Sequence, residues 1–373
     1  MAKIKILTPI HIGTGEKLGK LDVVFTENKL FVIDINKVIE KVKNSPSALK
    51  EFENPNFNIK NFLDDQGINY SDVAKYEIFT NLNPNRSGIF EFIKTGLGNP
   101  IIPGSSIKGA IRTVFLWHLV KEYPEIVKEK LQKIIKDNKM KKERADDIID
   151  KQLFGENPNY NFMRVLQISD AKFKILDLSV EEVKILDKKN NGTYGWWKYK
   201  DSIQDNPKFA TSTFIEVLKE GAFSEFNIKI EEFLLQQPIV ESLKFNNKKV
   251  YFSELVKKCN DYAKNYIQGE IEFYKNCGMT NLQSFYENLH KEIPENNSAF
   301  LLHLGWGIGW NAITGNWFEE EKEDFRRKYK LGKGYWDKVK KQWVPISEFP
   351  KTRKIVFKNI QPYRPMGWVK VEI

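Results

Sequence analysis

Cysteine is almost absent from this sequence: Cys259 and Cys277, with seventeen residues between them, are the only two in 373. That spacing matches no zinc motif, and two thiols make no disulfide framework, so neither a metal centre nor a cross-linked scaffold is expected. Histidine is scarce as well, limited to His11, His118, His290 and His303, which leaves few groups for acid–base work near neutral pH. No stretch approaches the ~18 uninterrupted apolar residues of a membrane span. The opening MAKIKILTPIHIG also lacks the apolar core of a secretory signal. We therefore expect no membrane association and a reduced, cytoplasmic protein.

What is present is a chain long enough for two domains, with 41% hydrophobic residues, ample for packed cores. Lys and Arg outnumber Asp and Glu by 59 to 49, a net charge of +10, and a surplus of that size favours an anionic partner. Aromatics reach 13%, including nine Trp. Most belong to the core, but exposed rings also stack on bases.

Residues 3–10 alternate into a short strand that Pro9 and His11-Ile12-Gly13-Thr14-Gly15 break into a glycine loop. LDVVFTENKLFVID (21–34) reads as a hairpin, and 36–43 as a helix. From about 44 to 100 the chain is rich in Asn, Pro and charge (NPNFNIKNFLDDQGINYSD, NLNPNRSG), which suggests an insertion or mobile arm rather than core. Next, Pro103-Gly104-Ser105-Ser106-Ile107-Lys108-Gly109-Ala110-Ile111-Arg112-Thr113 opens a helix. Ser105 or Ser106 supplies its N-cap, Ile107, Ile111, Val114, Phe115 and Leu119 its apolar stripe. Lys108 and Arg112 lie one turn apart on one side. The stretch 121–152 is helical and charged, and 128–144 carries eight basic residues against three acidic, the pattern of a solvated face. MRVLQISDAKFKIL (163–176) and FSEFNIKIEEF read as strands, 252–276 and 281–292 as helices. SAFLLHLGWGIGWNAITGNWF (298–318) is a strand entering a second glycine loop at 305–309, and KIVFKNI and GWVKVEI are closing strands. The order suggests an α+β protein of two sandwiches, 1–180 and 181–373, each an antiparallel sheet backed by helices.

Enzymatic readings fit poorly. Ser105-Ser106-Ile107-Lys108 matches S-x-x-K and Lys94-Thr95-Gly96 matches K-T-G, but their order is reversed relative to serine β-lactamases and no S-D-N occurs. Gly305-Trp306-Gly307-Ile308-Gly309 has neither G-K-[ST] nor a dinucleotide fingerprint, so no nucleotide cofactor is expected. Of the histidines, only His11 adjoins a glycine loop. A ribonuclease using it as base is the alternative to a binding role, but it has no visible catalytic partners.

Binding chemistry fits better. Glycines let backbone approach a ribose–phosphate chain and offer it N–H groups, and a helix start adds donors and a positive dipole end. The candidate contacts are His11, Gly13 and Gly15; Gly104, Ser105, Ser106, Lys108 and Arg112; and Gly305, Trp306, Gly307, Gly309 and Trp310. The blander alternative for these residues is turn geometry, a cap, surface bases and core tryptophans. Residues 322–358 add thirteen basic residues against four acidic, an electrostatic footing for phosphate.

Thr8-Pro9-Ile10-His11-Ile12-Gly13-Thr14-Gly15 resembles the opening of the RAMP superfamily of CRISPR subunits. Ile102 to Thr113 looks like that superfamily's central motif, Leu153-Phe154-Gly155 and Ser169-Asp170-Ala171 its next landmark, and Gly305–Gly309 its C-terminal glycine loop. Length and the first two motifs are most similar to the Csm-type fifth subunits of type III-A effectors. The resemblance implies two ferredoxin-like (RRM-like) halves with helical insertions and a non-catalytic cap at the 3′ end of the guide (crRNA). It implies neighbouring RAMP backbone and small subunits as partners, and guide maturation through recruited host nucleases rather than cutting. The aspartate of target-cleaving backbone subunits has no convincing counterpart among Asp34, Asp64, Asp65 and Asp72. The glycine loop departs from the family pattern, since Gly309 is followed by Trp-Asn-Ala-Ile-Thr with no basic residue.

Overall fold

Along Ala2–Ile6 the alanine and both isoleucines are buried and Lys3 and Lys5 exposed, the period-two pattern of a strand with one face on a core. In the computed structural model, which describes residues 1–82, 88–137, 139–189, 191–200, 202–315 and 321–373, this strand sits inside a four-stranded sheet. It lies between Phe223–Phe226 and the last strand, Trp368–Glu372, which in turn pairs with Ala299–His303, and all pairings are antiparallel. The two ends of the chain thus close one sheet. The long helix Leu255–Asn276 covers it. Asn260, buried on that helix, donates to the carbonyl of Ala299 (3.0 Å) and accepts from the amide of Leu301 (3.2 Å).

A larger sheet runs in the order Ser202–Gln204, Tyr194–Lys198, Leu178–Lys188, Thr213–Leu218, Ile89–Phe92, Gly13–Leu18. Arg353–Lys358 pairs with Leu178–Lys188 as well, and Gln361–Pro365 flanks it. The α+β class is as expected. Position 180 falls inside Leu178–Lys188, and neither large sheet is built from one side of it alone.

The stretch 44–100 is not the core-free arm its composition suggested. Helices Pro46–Glu51 and Ile59–Asp65 and the strand Ala74–Phe79 pack with the hairpin Val23–Phe25/Lys29–Ile33 around a core of their own that includes Phe31, Val38, Phe62, Leu63 and Val73. The polar residues that mimicked a loop are helix caps: Ser45 accepts from Ala48 N, Asn58 from Asn61 N and Asn69 from Ser71 N, each satisfying a first-turn donor. Further on, Ile89–Phe92 enters the large sheet with Phe92 fully buried. Residues 83–87 of NLNPNRSG, and 316–318 of the segment 298–318, lie outside the described residues.

The predicted strand 163–176 is also divided, into the 3₁₀ turn Phe162–Val165 and the short strands Leu166–Ile168 and Ala171–Lys172. The break at Ser169-Asp170 turns the chain toward the start of the central helix.

Candidate nucleic-acid interface

The central motif folds as expected into a helix, Gly104–Glu122, preceded by Ile101–Ile102, which pairs with Ala171–Lys172. Ile107, Ile111, Val114, Phe115 and Leu119 are all buried to 1% exposure or less. The cap differs from expectation. Pro103 is the N-cap, and the helix start has no capping bond from Ser105 or Ser106. Instead Asp170 reaches across and its carboxylate accepts from Gly104 N at 2.8 Å, where a negative charge complements the helix dipole. Only glycine allows this approach, because a Cβ at Gly104 would lie 2.2 Å from the carbonyl oxygen of Ile168. Ser105 is thereby left exposed and Ser106 half-buried.

Lys108 and Arg112 share a side of this helix but not a situation. The guanidinium of Arg112 pairs with Asp150 and lies 4.4 Å over the ring of Phe154, so it is bonded to the helix that ends at Leu153-Phe154-Gly155. Lys108 is half-buried, has no carboxylate partner among the described residues, and burial holds its ammonium below the usual lysine range.

The first glycine loop is anchored from beneath. His11 is 4% exposed, and its Nδ1 lies 2.7 Å from the carbonyl oxygen of Glu216. A carbonyl only accepts, so Nδ1 carries the proton and Nε2 is the acceptor. Nε2 lies under Gly13, where a Cβ would be 2.7 Å away. The carboxylate of Glu216, fully buried, accepts from Tyr76 Oη (2.8 Å), Phe92 N (2.8 Å) and Lys94 Nζ (2.7 Å). That set meets the requirement that a buried charge be paired and hydrogen-bonded. Burial first, and then the Lys94 charge, push the His11 imidazole down from its ordinary value, against the bond to Glu216 that raises it. His11 is therefore neutral at neutral pH. Gly13 opens the strand Gly13–Leu18, exposed from Gly13 through Lys17, Gly15 included.

The second glycine loop docks on the first. Trp306 N donates to the carbonyl of His11 at 2.7 Å, and the Trp306 ring stands edge-on to the imidazole at 5.9 Å. Gly305 has φ +96°, and a Cβ there would lie 2.9 Å from the same His11 oxygen, so the contact needs glycine both for its backbone angle and for space. Gly307 lies against Met366 and Lys354. Gly309 caps the short helix Trp310–Thr314. Trp310 packs edge-on to Phe349 at 5.0 Å and against the main core, as a wall of the fold rather than a splayed ring. Thr113 Oγ1, at 3.4 Å from the carbonyl of Ile313, ties this short helix to the central one. On the other side, Ile93 N donates to Ile12 O (2.8 Å) and Ile101 N to Ile93 O (3.2 Å). All three motifs, spread over residues 8–309, thus meet along one seam.

Sequence reasoning missed the residue that completes this seam. Lys354, on the strand Arg353–Lys358, places its Nζ 4.7 Å from the Trp306 ring centroid. It has no carboxylate partner among the described residues, and burial alone holds its pKa down. It was one of thirteen basic residues in 322–358, with nothing local to distinguish it. Glu216 was missed for the same reason, and Lys94 and Asp170, though each lay in a motif singled out in the sequence, were not recognised as the residues that position the seam.

His118 and His303 are packing residues. His118 bonds the carbonyl of Lys258 (3.0 Å), and His303 stacks on Trp368 (4.4 Å) with its pKa held down to about 3 by burial. His290 lies in the last turn of Thr280–Lys291. Among the described residues, no group of three or more His, Cys, Asp or Glu could hold a metal ion, and no helix is long and apolar enough to cross a membrane.

The sequence profile of the RAMP superfamily matches residues 3–314. The chain is 28% identical over its whole length, and 88% of the relative's, to the CRISPR system Cms protein Csm5 of Methanocaldococcus jannaschii. It is 33% identical to the Streptococcus thermophilus protein of that name across 31% of this chain and 37% of the other. A chain of the cryo-EM structure of a Csm–crRNA–target RNA ternary complex from a type III-A CRISPR-Cas system superposes with TM-score 0.73 and 26% identity, each chain fully covered. The crystal structure of T. onnurineus Csm5 shares the fold, with TM-score 0.65 and 23% identity over 98% of this chain and 99% of the other. With its profile match spanning all three motifs of the seam, the chain belongs to the RAMP superfamily.

Proposed function

We propose that the chain is a non-catalytic, RNA-holding subunit of a type III-A Csm effector. In this reading it caps the 3′ end of the guide beside the repeated backbone and small subunits, works in the cytoplasm, and supports maturation by recruiting nucleases. One observation carries the RNA-binding part: two lysines have no carboxylate partner among the described residues, Lys354 beside the Trp306 ring of the second glycine loop and Lys108 near the start of the central-motif helix. Partial burial disfavours the charge on both ammonium groups, so an incoming phosphate would supply the counter-charge that the protein does not. Full-length similarity to Csm5 proteins and to a chain of a crRNA-bound Csm complex supports the assembly part.

The competing reading is a guide-processing ribonuclease with His11 as base. The environment of His11 speaks for holding instead. Its ring is lodged beneath Gly13, its Nδ1 is spent on a backbone carbonyl, and its pKa is pushed away from neutrality, whereas an effective base is poised near the working pH.

The test is titration of labelled single-stranded RNA with wild type, Lys108→Ala and Lys354→Ala at two salt concentrations. Each loss should weaken binding by about 1–2 kcal/mol, roughly five- to thirtyfold, with melting unchanged. Wild-type affinity in both variants would refute the assignment of the seam.

A further inference from the structure

We infer a second single-stranded RNA contact, on the hairpin Gly334–Asp337/Gln342–Pro345, distinct from the seam and resting on different residues. The two strands pair antiparallel with Trp336 opposite Trp343. Trp343 is 8% exposed and lies directly under Gly334, where a Cβ would meet its ring at 2.1 Å. The other two rings are not buried: Tyr335 is 53% and Trp336 54% exposed. Lys330, Lys333, Lys338, Lys340 and Lys341 all lie within six residues of them along the chain, and among the described residues none has a carboxylate partner. Elsewhere on the surface Lys60, Lys133 and Lys188 each hold one at 2.7 Å or less.

The only acid between 330 and 341 is Asp337, and its carboxylate is tied to the turn. Its Oδ1 accepts from Val339 N (2.9 Å) and Lys340 N (3.0 Å), which fixes the tip and presents Lys338, Lys340 and Lys341 to solvent. Exposed rings beside unpaired cations are what a single strand requires, since bases stack on the rings whatever their identity and phosphates take the lysines. Lys330, 5.7 Å from the Trp336 ring centroid, borders that ring, while Tyr335, its neighbour on the strand, serves the opposite face of the hairpin.

The experiment titrates the full chain with a labelled oligouridylate between about 50 and 200 mM salt. It compares wild type, Trp336→Ala, the triple variant Lys338→Ala/Lys340→Ala/Lys341→Ala, and Lys354→Ala. Photocrosslinking then maps the contacted peptide. Trp336→Ala should weaken binding about tenfold, the triple variant should flatten the log–log salt slope by about 2, and crosslinks should fall on Tyr335 or Trp336. If both hairpin variants bind as wild type while Lys354→Ala is weakened, the hairpin inference is overturned and the seam stands. If the wild-type chain does not bind the strand at all, both fall. Should the hairpin variants lose binding to poly-glutamate but keep the RNA, the partner is an acidic polypeptide and the inference is again overturned.

Discussion

Replacing Gly305 by alanine tests whether the two glycine loops are locked together as described. The new Cβ meets two separate penalties. A left-handed φ of +96° costs an L-residue about 1–2 kcal/mol. The methyl would also stand 2.9 Å from the His11 carbonyl oxygen, the acceptor of the 2.7 Å bond from Trp306 N. Relieving that contact costs the bond, about 1–1.5 kcal/mol. Together this is about 3 kcal/mol against the docked loop, or roughly 150-fold in its opening equilibrium. Gly309→Ala is the matched control, because its φ is +91° but nothing lies within 4 Å of its Cβ. It should therefore show the strain alone, roughly tenfold. Hydrogen exchange of the Trp306 amide, followed by mass spectrometry on the peptide covering 304–310, reads both variants in one assay. Equal effects in the two would mean that packing against His11 contributes nothing and that the loops are not coupled as argued.

Arg112→Ala should lower the melting temperature, by an amount reflecting no more than about 1–2 kcal/mol for a pair that is a third exposed. It should weaken RNA binding less than Lys108→Ala does, and the reverse ranking in paired melting and titration data would reassign the two residues. Stability should also fall on acidification. His11, His118 and His303 all have pKa values pushed below the ordinary 6.5, His303 to about 3. The unfolded chain thus binds protons that the folded chain refuses. The stabilisation is present above about pH 6.5 and is lost as pH falls toward each folded pKa, at up to about 1.4 kcal/mol per unit for each histidine. Thermal melts from about pH 7 to about pH 5 check this, with a shallower decline expected for His303→Gln and an unchanged melting temperature standing against it.

Part of the local structure was readable in the sequence: the hairpin 21–34, the helix of the central motif and the second glycine loop form close to where their punctuation placed them, whereas Gly13-Thr14-Gly15, read as loop, belong to the strand Gly13–Leu18. What escaped is long-range. The pairing of Ala2–Ile6 with Trp368–Glu372 leaves no trace in local periodicity, because an alternating strand states which face is buried but not against which partner. Asp170 was visible as a landmark, yet its role as the cap of Gly104 depends on a turn some 66 residues away. Asn58 and Asn69 were read as loop composition because the same side chain that favours turns also caps helices. Lys354 could not be separated from its basic neighbours, since its distinction is the Trp306 ring beside it.

On the reading proposed above, this chain holds RNA without cutting it. Purified wild type and His11→Ala, each incubated with end-labelled precursor guide and read for bound and cleaved fractions, test it most directly. Both should bind the precursor and neither should cut it. A product at one defined site with wild type, lost a hundredfold or more in His11→Ala as expected for a general base, would contradict it.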